Sequence, residues 1–440
     1  MTINRSNIDI AGNGTDIFVI SQPGQKFTNF GHLTTSGAVS RAIHVTANGV
    51  TVDNRGTLTT GGDGSSAIIV GDAYGAQANN VTVLNHGSIT TTGGTLWDFP
   101  DGPIFAAGID LFGDHNTAVN YGTITNLNGD DAGMNSVGSY STLTNRGQID
   151  SMVIGMVLDQ YTGDEAHSSA VNYGSIVTHW DGSYGMLSLA TDNVLKNFGS
   201  IHVDGVMSFG MALDADRNHG ENRGTIWASG DADRGVLLEG IAPTFDNYGT
   251  IQVTGAGGIG ARFSGEDAPG TDGGTFTNYG TIASTAWAVK GAFANDHFIN
   301  RGTLVGDAYM GAGDDTFVAG KGGSLSGTLT LADGNDLIVF EKGGGKLVVS
   351  DFVAGAGTDD VINLGAFGYQ SFAEVMSHAS QSGSDVVLNL GSKDQIVLQN
   401  VSLGALAADD FALGGANAAM LAANAAMLAQ PGHHDLFGVG

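Results

Sequence analysis

Cysteine is absent from the 440 residues, which excludes disulfides and thiol chemistry. Basic residues are scarce: 16 Lys and Arg stand against 44 Asp and Glu, a net charge of −28. Such a balance repels phosphate backbones and anionic lipid, so it excludes nucleic acid and acidic membrane surfaces as partners. Divalent cations and neutral or basic partners stay open. No apolar run approaches the ~18 residues of a membrane helix, so no membrane span is expected. The opening stretch MTINRSNIDIAGNGTDIFVIS lacks a basic start, an apolar run and a small-residue cleavage site, so it does not read as a conventional secretory leader. Metalloprotease, nucleophile-elbow, phosphate-loop and dinucleotide signatures are missing as well. Helical periodicity is almost missing before residue 371.

What the chain has instead is a repeat. Asn172 (VNYGSI), Asn197 (KNFGSI), Asn222 (ENRGTI) and Asn247 (DNYGTI) recur every 25 residues. Thirteen residues after each comes a glycine leading an apolar run: Gly185, Gly210, Gly235 and Gly260. The Asn mark also stands at Asn29, Asn54, Asn85, Asn120, Asn145, Asn278 and Asn300, which makes eleven copies. The longer intervals carry insertions at 71–79, 97–105 and 264–274, as surface loops tolerate.

Within a unit the apolar residues alternate in runs of three to five between Gly, Asn and Asp, the mark of short strands. About three strands per ~25 residues, stacked coil on coil, predict an all-β right-handed parallel β-helix of about eleven coils over 1–305. At ~4.8 Å per coil its length is about 50 Å. The Asn is expected to hold a left-handed turn and to bond its stacked neighbours, the Gly two residues on to permit a tight corner, and the following Ile or Leu to fill the core.

Between Asn and Gly runs a stripe: Phe30, Arg55, His86, Tyr121, Arg146, Tyr173, Phe198, Arg223, Tyr248, Tyr279 and Arg301. It reads either as self-stacking with cation–π contacts or as a track for sugars or a second copy of the chain. Acids after the second strand, Asp110, Asp159 and Asp214, with Asp164, Glu165, His167, Asp216, Arg217 and His219 nearby, are the candidates for polysaccharide chemistry. One coil has Thr191 and Asp192 at that place, so the offsets are not uniform. Solvated acidic turns are the plainer reading.

From 310 the pattern changes. MGAGDDTFV (310–318), GGSLSGTLT (322–330), LADGNDLIV (331–339) and AGAGTDDVI (354–362) fit a glycine-rich nonapeptide imperfectly. In such a roll the turn carbonyls and the sixth-position Asp bind Ca²⁺, which nominates Gly311, Gly313, Asp315, Gly334, Asp336, Gly357 and Asp359 as metal residues. The second copy has Gly327 in the acid place. Residues from about 310 to 413, above all SDFVAGAGTDDVINLGAFGYQ and the DVVLNL and DQIVLQN strands, resemble the C-terminal module of hemolysin-type calcium-binding (repeats-in-toxin) proteins. That resemblance implies export by type I secretion machinery, an uncleaved C-terminal signal and folding outside the cell with Ca²⁺ as cofactor. Residues 25–305 resemble β-helical passenger regions of bacterial surface proteins.

The expected organisation is thus a β-helix over 1–305, a short calcium-binding β-roll and secretion module over 306–413, and an Ala-rich tail over 414–440. SFAEVMSHASQ reads as a short helix. ANAAMLA, repeated at 416–422 and 423–429, predicts a small amphipathic helix ended by Pro431-Gly432, with His433 and His434 in the remaining tail. The early strands carry no capping helix ahead of them, which invites head-to-tail addition of another subunit. The leading expectation is a secreted, non-enzymatic structural protein of the bacterial surface or matrix, self-assembling into filaments or layers with Ca²⁺ support. A polysaccharide lyase or hydrolase, and an adhesin for surface or matrix polysaccharide, are the alternatives.

Overall fold

The computed structural model describes residues 1–72, 75–96, 104–128, 131–159, 166–264, 272–357 and 360–414. The chain is a parallel β-solenoid of about 13 turns. It divides into two compact units, Met1–Ser264 with Ile282–Trp287, and 265–281 with Ala288–Gly440. Asp164, Glu165, Asp359 and the Ala-rich tail repeats lie outside the described residues.

In unit 1 a coil has three strands. The coil beginning at Ser169 runs through Ser169–Asn172, Ser175–Thr178 and Tyr184–Ser188, and each pairs in parallel with its counterpart in the next coil. The expected eleven coils fall short for a readable reason. Asn4 starts an earlier turn whose NRS tripeptide lacks the glycine, yet Asn4 stands in register with Asn29. In unit 2 the register of Asn300 continues through Ala319 and Phe340, which do not carry the Asn mark.

The asparagines end the first strand and are buried. Each Nδ2 donates to the Oδ1 of the next coil's asparagine, at 2.8–2.9 Å from Asn4 through to Asn247. None of them has positive φ. The left-handed turn expected of them belongs to another column, where His115, Tyr140, His167, Asp192 and Arg217 stack with φ of 50–59°. The Asn is there to pair buried amides along the axis, which an apolar residue cannot do.

The two glycine marks have separate causes, and neither is a left-handed backbone. A Cβ at Gly199 would run into the carbonyl oxygen of Gly174 in the coil before, and one at Gly224 into that of Gly199. A Cβ at Gly185, Gly210 or Gly235 would run into the Cγ2 of Ile201, Ile226 or Ile251. The isoleucine of the next coil therefore occupies the space that the glycine leaves. That contact locks the two sequence marks in one phase. The isoleucines stack in register from Ile176 to Ile251 and are almost wholly buried, each contributing roughly 1.5–3 kcal/mol of apolar burial.

Unit 2 has one three-strand coil, Thr316–Ala319, Ser324–Leu325 and Leu329–Asp333, beside two-strand coils such as Asn295–Asn300 with Thr303–Ala312, and then a short helix, Phe372–Ser377, whose N-cap Ser371 accepts from the Glu374 N–H. An antiparallel meander follows: Asp385–Gly391 and Asp394–Leu398 pair as DVVLNL and DQIVLQN predict, and Ala379–Ser382, expected to end the helix, adds a third strand. Among the described residues no helix is long and apolar enough to cross a membrane.

Candidate functional site

The third strands of unit 1 carry the most concentrated chemistry. Alternation puts Met134, Met156, Met186 and Met211 in one core column. The intervening row on these strands is also buried. Val157, Leu187, Ala212 and Leu237 form a separate apolar cluster with Ile154, Tyr184 and Phe209 packed against it. Toward the N-terminal coils the same row becomes polar, passing from Asn135 to Asp110 and, through Ile69, to His44.

There His44 bridges two acids, with Nδ1 2.7 Å from Asp16 and Nε2 3.2 Å from Asp72. Arg41 lies 3.8 Å from Asp16 and 4.0 Å from Asp72. Burial pulls the His44 pKa down, but the hydrogen bond to Asp16 and the Asp72 carboxylate close to Nε2 outweigh it and hold the imidazole up at about 9. Burial likewise pushes Asp16 up, yet its bond to His44 and the Arg41 N–H leave it below the ordinary carboxylate range. Asp72 is lowered chiefly by His44.

Asp110 behaves in the opposite way. It is buried, accepts from Asn135 Nδ2 at 2.9 Å and from Ser66 Oγ at 3.3 Å, and burial drives its pKa to about 7, with Asp159 adding to the rise. Oδ1 of Asn135 and Nε of Arg41 are buried without hydrogen-bond partners. An acid with a raised pKa thus stands within electrostatic reach of Arg41, which itself lies beside Asp16 and Asp72.

Of the residues nominated from sequence, Asp159 lies near enough to Asp110 to add to the rise of its pKa. Asp214 pairs in register with Glu239, and burial raises it. Several others are occupied in coil-to-coil bonds. Asp216 accepts the Ile241 N–H at 2.7 Å, Arg217 makes a two-point contact with Asp192 at 2.7 and 2.9 Å, and His219 meets Thr244 Oγ1 at 2.9 Å. Asp16, Arg41, His44, Ser66 and Asp72 were missed. Their signal was present: Asp16, Arg41 and Ser66 share one phase of the 25-residue period.

The stripe faces solvent, with Phe30, Tyr121, Tyr173, Phe198, Tyr248 and Tyr279 37–47% exposed. Several of its rings and guanidiniums use their faces on one another, while Arg55 pairs with Asp53 and Arg301 with Glu341. Tyr173 and Phe198 stack at 5.0 Å and 9°, His86 and Tyr121 at 4.8 Å and 1°, and Arg146 and Arg223 lie 4.5 and 4.3 Å over Tyr173 and Tyr248.

In unit 2, Gly311, Gly313, Gly334 and Gly357 all have positive φ, so their place in the nonapeptides is a backbone requirement. Asp315 and Asp336 point into the coil corner and are buried. Oδ1 of Asp315 accepts the Asp296 N–H at 2.7 Å, and Oδ1 of Asp336 accepts the Asp315 N–H at 2.8 Å. The next member of this column is Asp360, which accepts the Asp336 N–H at 3.3 Å. Burial, and then neighbouring acids, drive Asp315 up to about 10, and burial drives Asp336 to about 7. Among the described residues no group of three or more His, Cys, Asp or Glu is gathered to hold a metal ion.

No family model matches the chain. It is similar over short stretches to two enzymes of Rhizobium meliloti (strain 1021). Identity to the endo-1,3-1,4-beta-glycanase EglC is 35% over 74 residues, 17% of this chain and 15% of that protein. Identity to the endo-1,3-1,4-beta-glycanase ExsH is 33% over 64 residues, 14% of each. The chain spans about 15% of the length of these relatives.

Proposed function

We propose that this chain is an extracellular structural solenoid that assembles with copies of itself at a bacterial surface or in the surrounding matrix. The observation that carries this reading is how the polar and aromatic side chains of unit 1 are spent. The buried asparagines bond asparagines, stripe rings stack on stripe rings, and turn acids accept amides of the next coil. That is the construction of a scaffold that propagates one repeat. The strands Thr2–Asn4, Ile8–Ile10 and Phe18–Ile20 pair on one side only among the described residues, with Ile3 and Val19 exposed beside them. A second copy added there would continue all three rows of backbone hydrogen bonds. Export by type I machinery belongs to the same proposal. Negative-stain microscopy with sedimentation at rising concentration tests it: ordered fibres or sheets are expected, and discrete particles at every concentration reject it.

A second reading is favoured by Asp110. A buried acid that keeps its proton to about pH 7, within electrostatic reach of Arg41, which itself lies beside ionised Asp16 and Asp72, is the separation of pKa values that acid–base chemistry on a polysaccharide needs. The short likeness to glycanases points to a polysaccharide with β-1,3 and β-1,4 linkages as the first substrate to try. Release of reducing ends that Asp110→Asn abolishes, with the fold intact, would establish it. No release leaves the scaffold reading in place.

A further inference from the structure

We infer that the acidic corner of unit 2 is a hydrogen-bond column that holds the solenoid without a divalent cation. Asp315, Asp336 and Asp360 each immediately precede a first strand, and Asp296 is the second residue of one, Asn295–Asn300. Each accepts a backbone N–H from the coil before, beginning with Gly274 N–H to Asp296 at 3.2 Å.

Unit 1 has the same column at the same place, built from uncharged residues. Asn116 accepts the Val81 N–H at 2.9 Å, Ser141 that of Asn116 at 3.1 Å, Ser168 that of Ser141 at 3.0 Å and Asn193 that of Ser168 at 2.7 Å. These coils contain no glycine-rich nonapeptide, so the corner needs only a short side chain ending in an acceptor. Asp233 makes the point within unit 1. It accepts the Ser208 N–H at 2.8 Å at the matching corner before the third strand, where Ser208 itself accepts from Ser183 at 3.1 Å.

The acids around the unit 2 column are spent in the same currency of backbone amides. Asp314 accepts from Asn335, Asp351 from Leu331 and Ala332, Asp394 from Gly343 and Gly345, and Asp410 from Gly355 and Ala407. An N–H aimed at a carboxylate oxygen presents a positive end to a cation approaching that same oxygen, so the two compete there.

A further detail separates acid from amide. In unit 1 Nδ2 of Asn116 also donates to the Gly113 carbonyl at 3.0 Å, and Nδ2 of Asn218 to that of Ala215 at 3.1 Å, each three residues earlier. A carboxylate cannot make that bond, and the second oxygens of Asp315 and Asp336 are buried without a hydrogen-bond partner. An asparagine there keeps the acceptor and supplies the missing donor.

The test is thermal unfolding of the full chain by circular dichroism, in millimolar Ca²⁺ and in chelator, for the wild type, Asp315→Asn, Asp336→Asn and Asp315→Ser. The column predicts the same Tm in both solutions for the wild type. It also predicts asparagine variants that fold in chelator with Tm equal to or above the wild type. A cation at roughly a hundred times its Kd would instead lift the wild-type Tm by several degrees, a lift that Asp315→Asn would erase. That result overturns the inference, and so does failure of both the Asn and Ser variants to fold in either solution. Terbium luminescence on the wild type gives a reading independent of folding. Saturable, calcium-displaced emission that Asp315→Asn and Asp336→Asn abolish would overturn it too.

Discussion

Asn197→Ala is the sharpest probe of what holds unit 1 together. The side chain is fully buried, accepts from Asn172 Nδ2 at 2.8 Å and donates to Asn222 Oδ1 at 2.9 Å. Asn172 keeps alternative acceptors in Gly174 O and Ser200 O, and the Gly199 N–H keeps Asn172 O, so those groups stay satisfied. The substitution therefore removes two amide–amide bonds at about 1 kcal/mol each and strands Asn222 Oδ1 at a further ~1–3 kcal/mol, about 3–5 kcal/mol in all. Asn197→Asp sharpens the test. It keeps the acceptor but turns the donor into an acceptor facing Asn222, so at neutral pH it should cost more than alanine. Its deficit should shrink as pH falls toward about 4, where an unfolded Asp also takes its proton. Urea unfolding followed by tryptophan fluorescence is the assay, since Trp180 and Trp227 lie in the adjoining coils. A loss under about 1 kcal/mol for alanine would refute the ladder as a source of stability.

Gly210→Ala should unfold or severely destabilise the chain because its Cβ meets Ile226, whereas Gly182→Ala has open space and only a positive φ of 72° to resist it, costing about 1 kcal/mol; comparing their unfolding midpoints checks this. The raised His44 pKa makes its contribution complete below about pH 6.5 and lost as pH rises through about 9, an order of 3 kcal/mol that His44→Gln should remove from the pH–stability profile. Asp110 acts in a lower window: the unfolded chain releases this proton near pH 3.8 and the fold near 7, so stability falls across that interval, and Asp110→Asn should flatten it. Tyr248→Ala should cost about 0.5–1 kcal/mol through its lost contact with Arg223, and affinity electrophoresis should show no change in polysaccharide retention if the stripe only stacks on itself.

Periodicity determined the fold. A coil buries its apolar side chains only against its own strands and the coils above and below, so each unit must repeat the same inward residues, and the 25-residue recurrence of Asn, Gly and Ile displays that constraint directly. The stripe was legible for the same reason, as was the place of the turn glycines. What each mark does needed three dimensions. The asparagine pairs amides rather than turning the chain, and the glycines yield room to a carbonyl or an isoleucine from another coil. The direction and occupancy of a side chain depend on neighbours one coil away. The acidic column shows this best. Its local sequence matches a metal-binding nonapeptide, while the tertiary register sets Asp315 and Asp336 against backbone amides. The cluster around His44 was hidden because Asp16, Arg41, His44, Asp72 and Asp110 are spread over nearly a hundred residues, and stacking alone gathers them. A one-dimensional period gives the core; which polar groups meet depends on loop lengths and on burial, which sequence order does not contain.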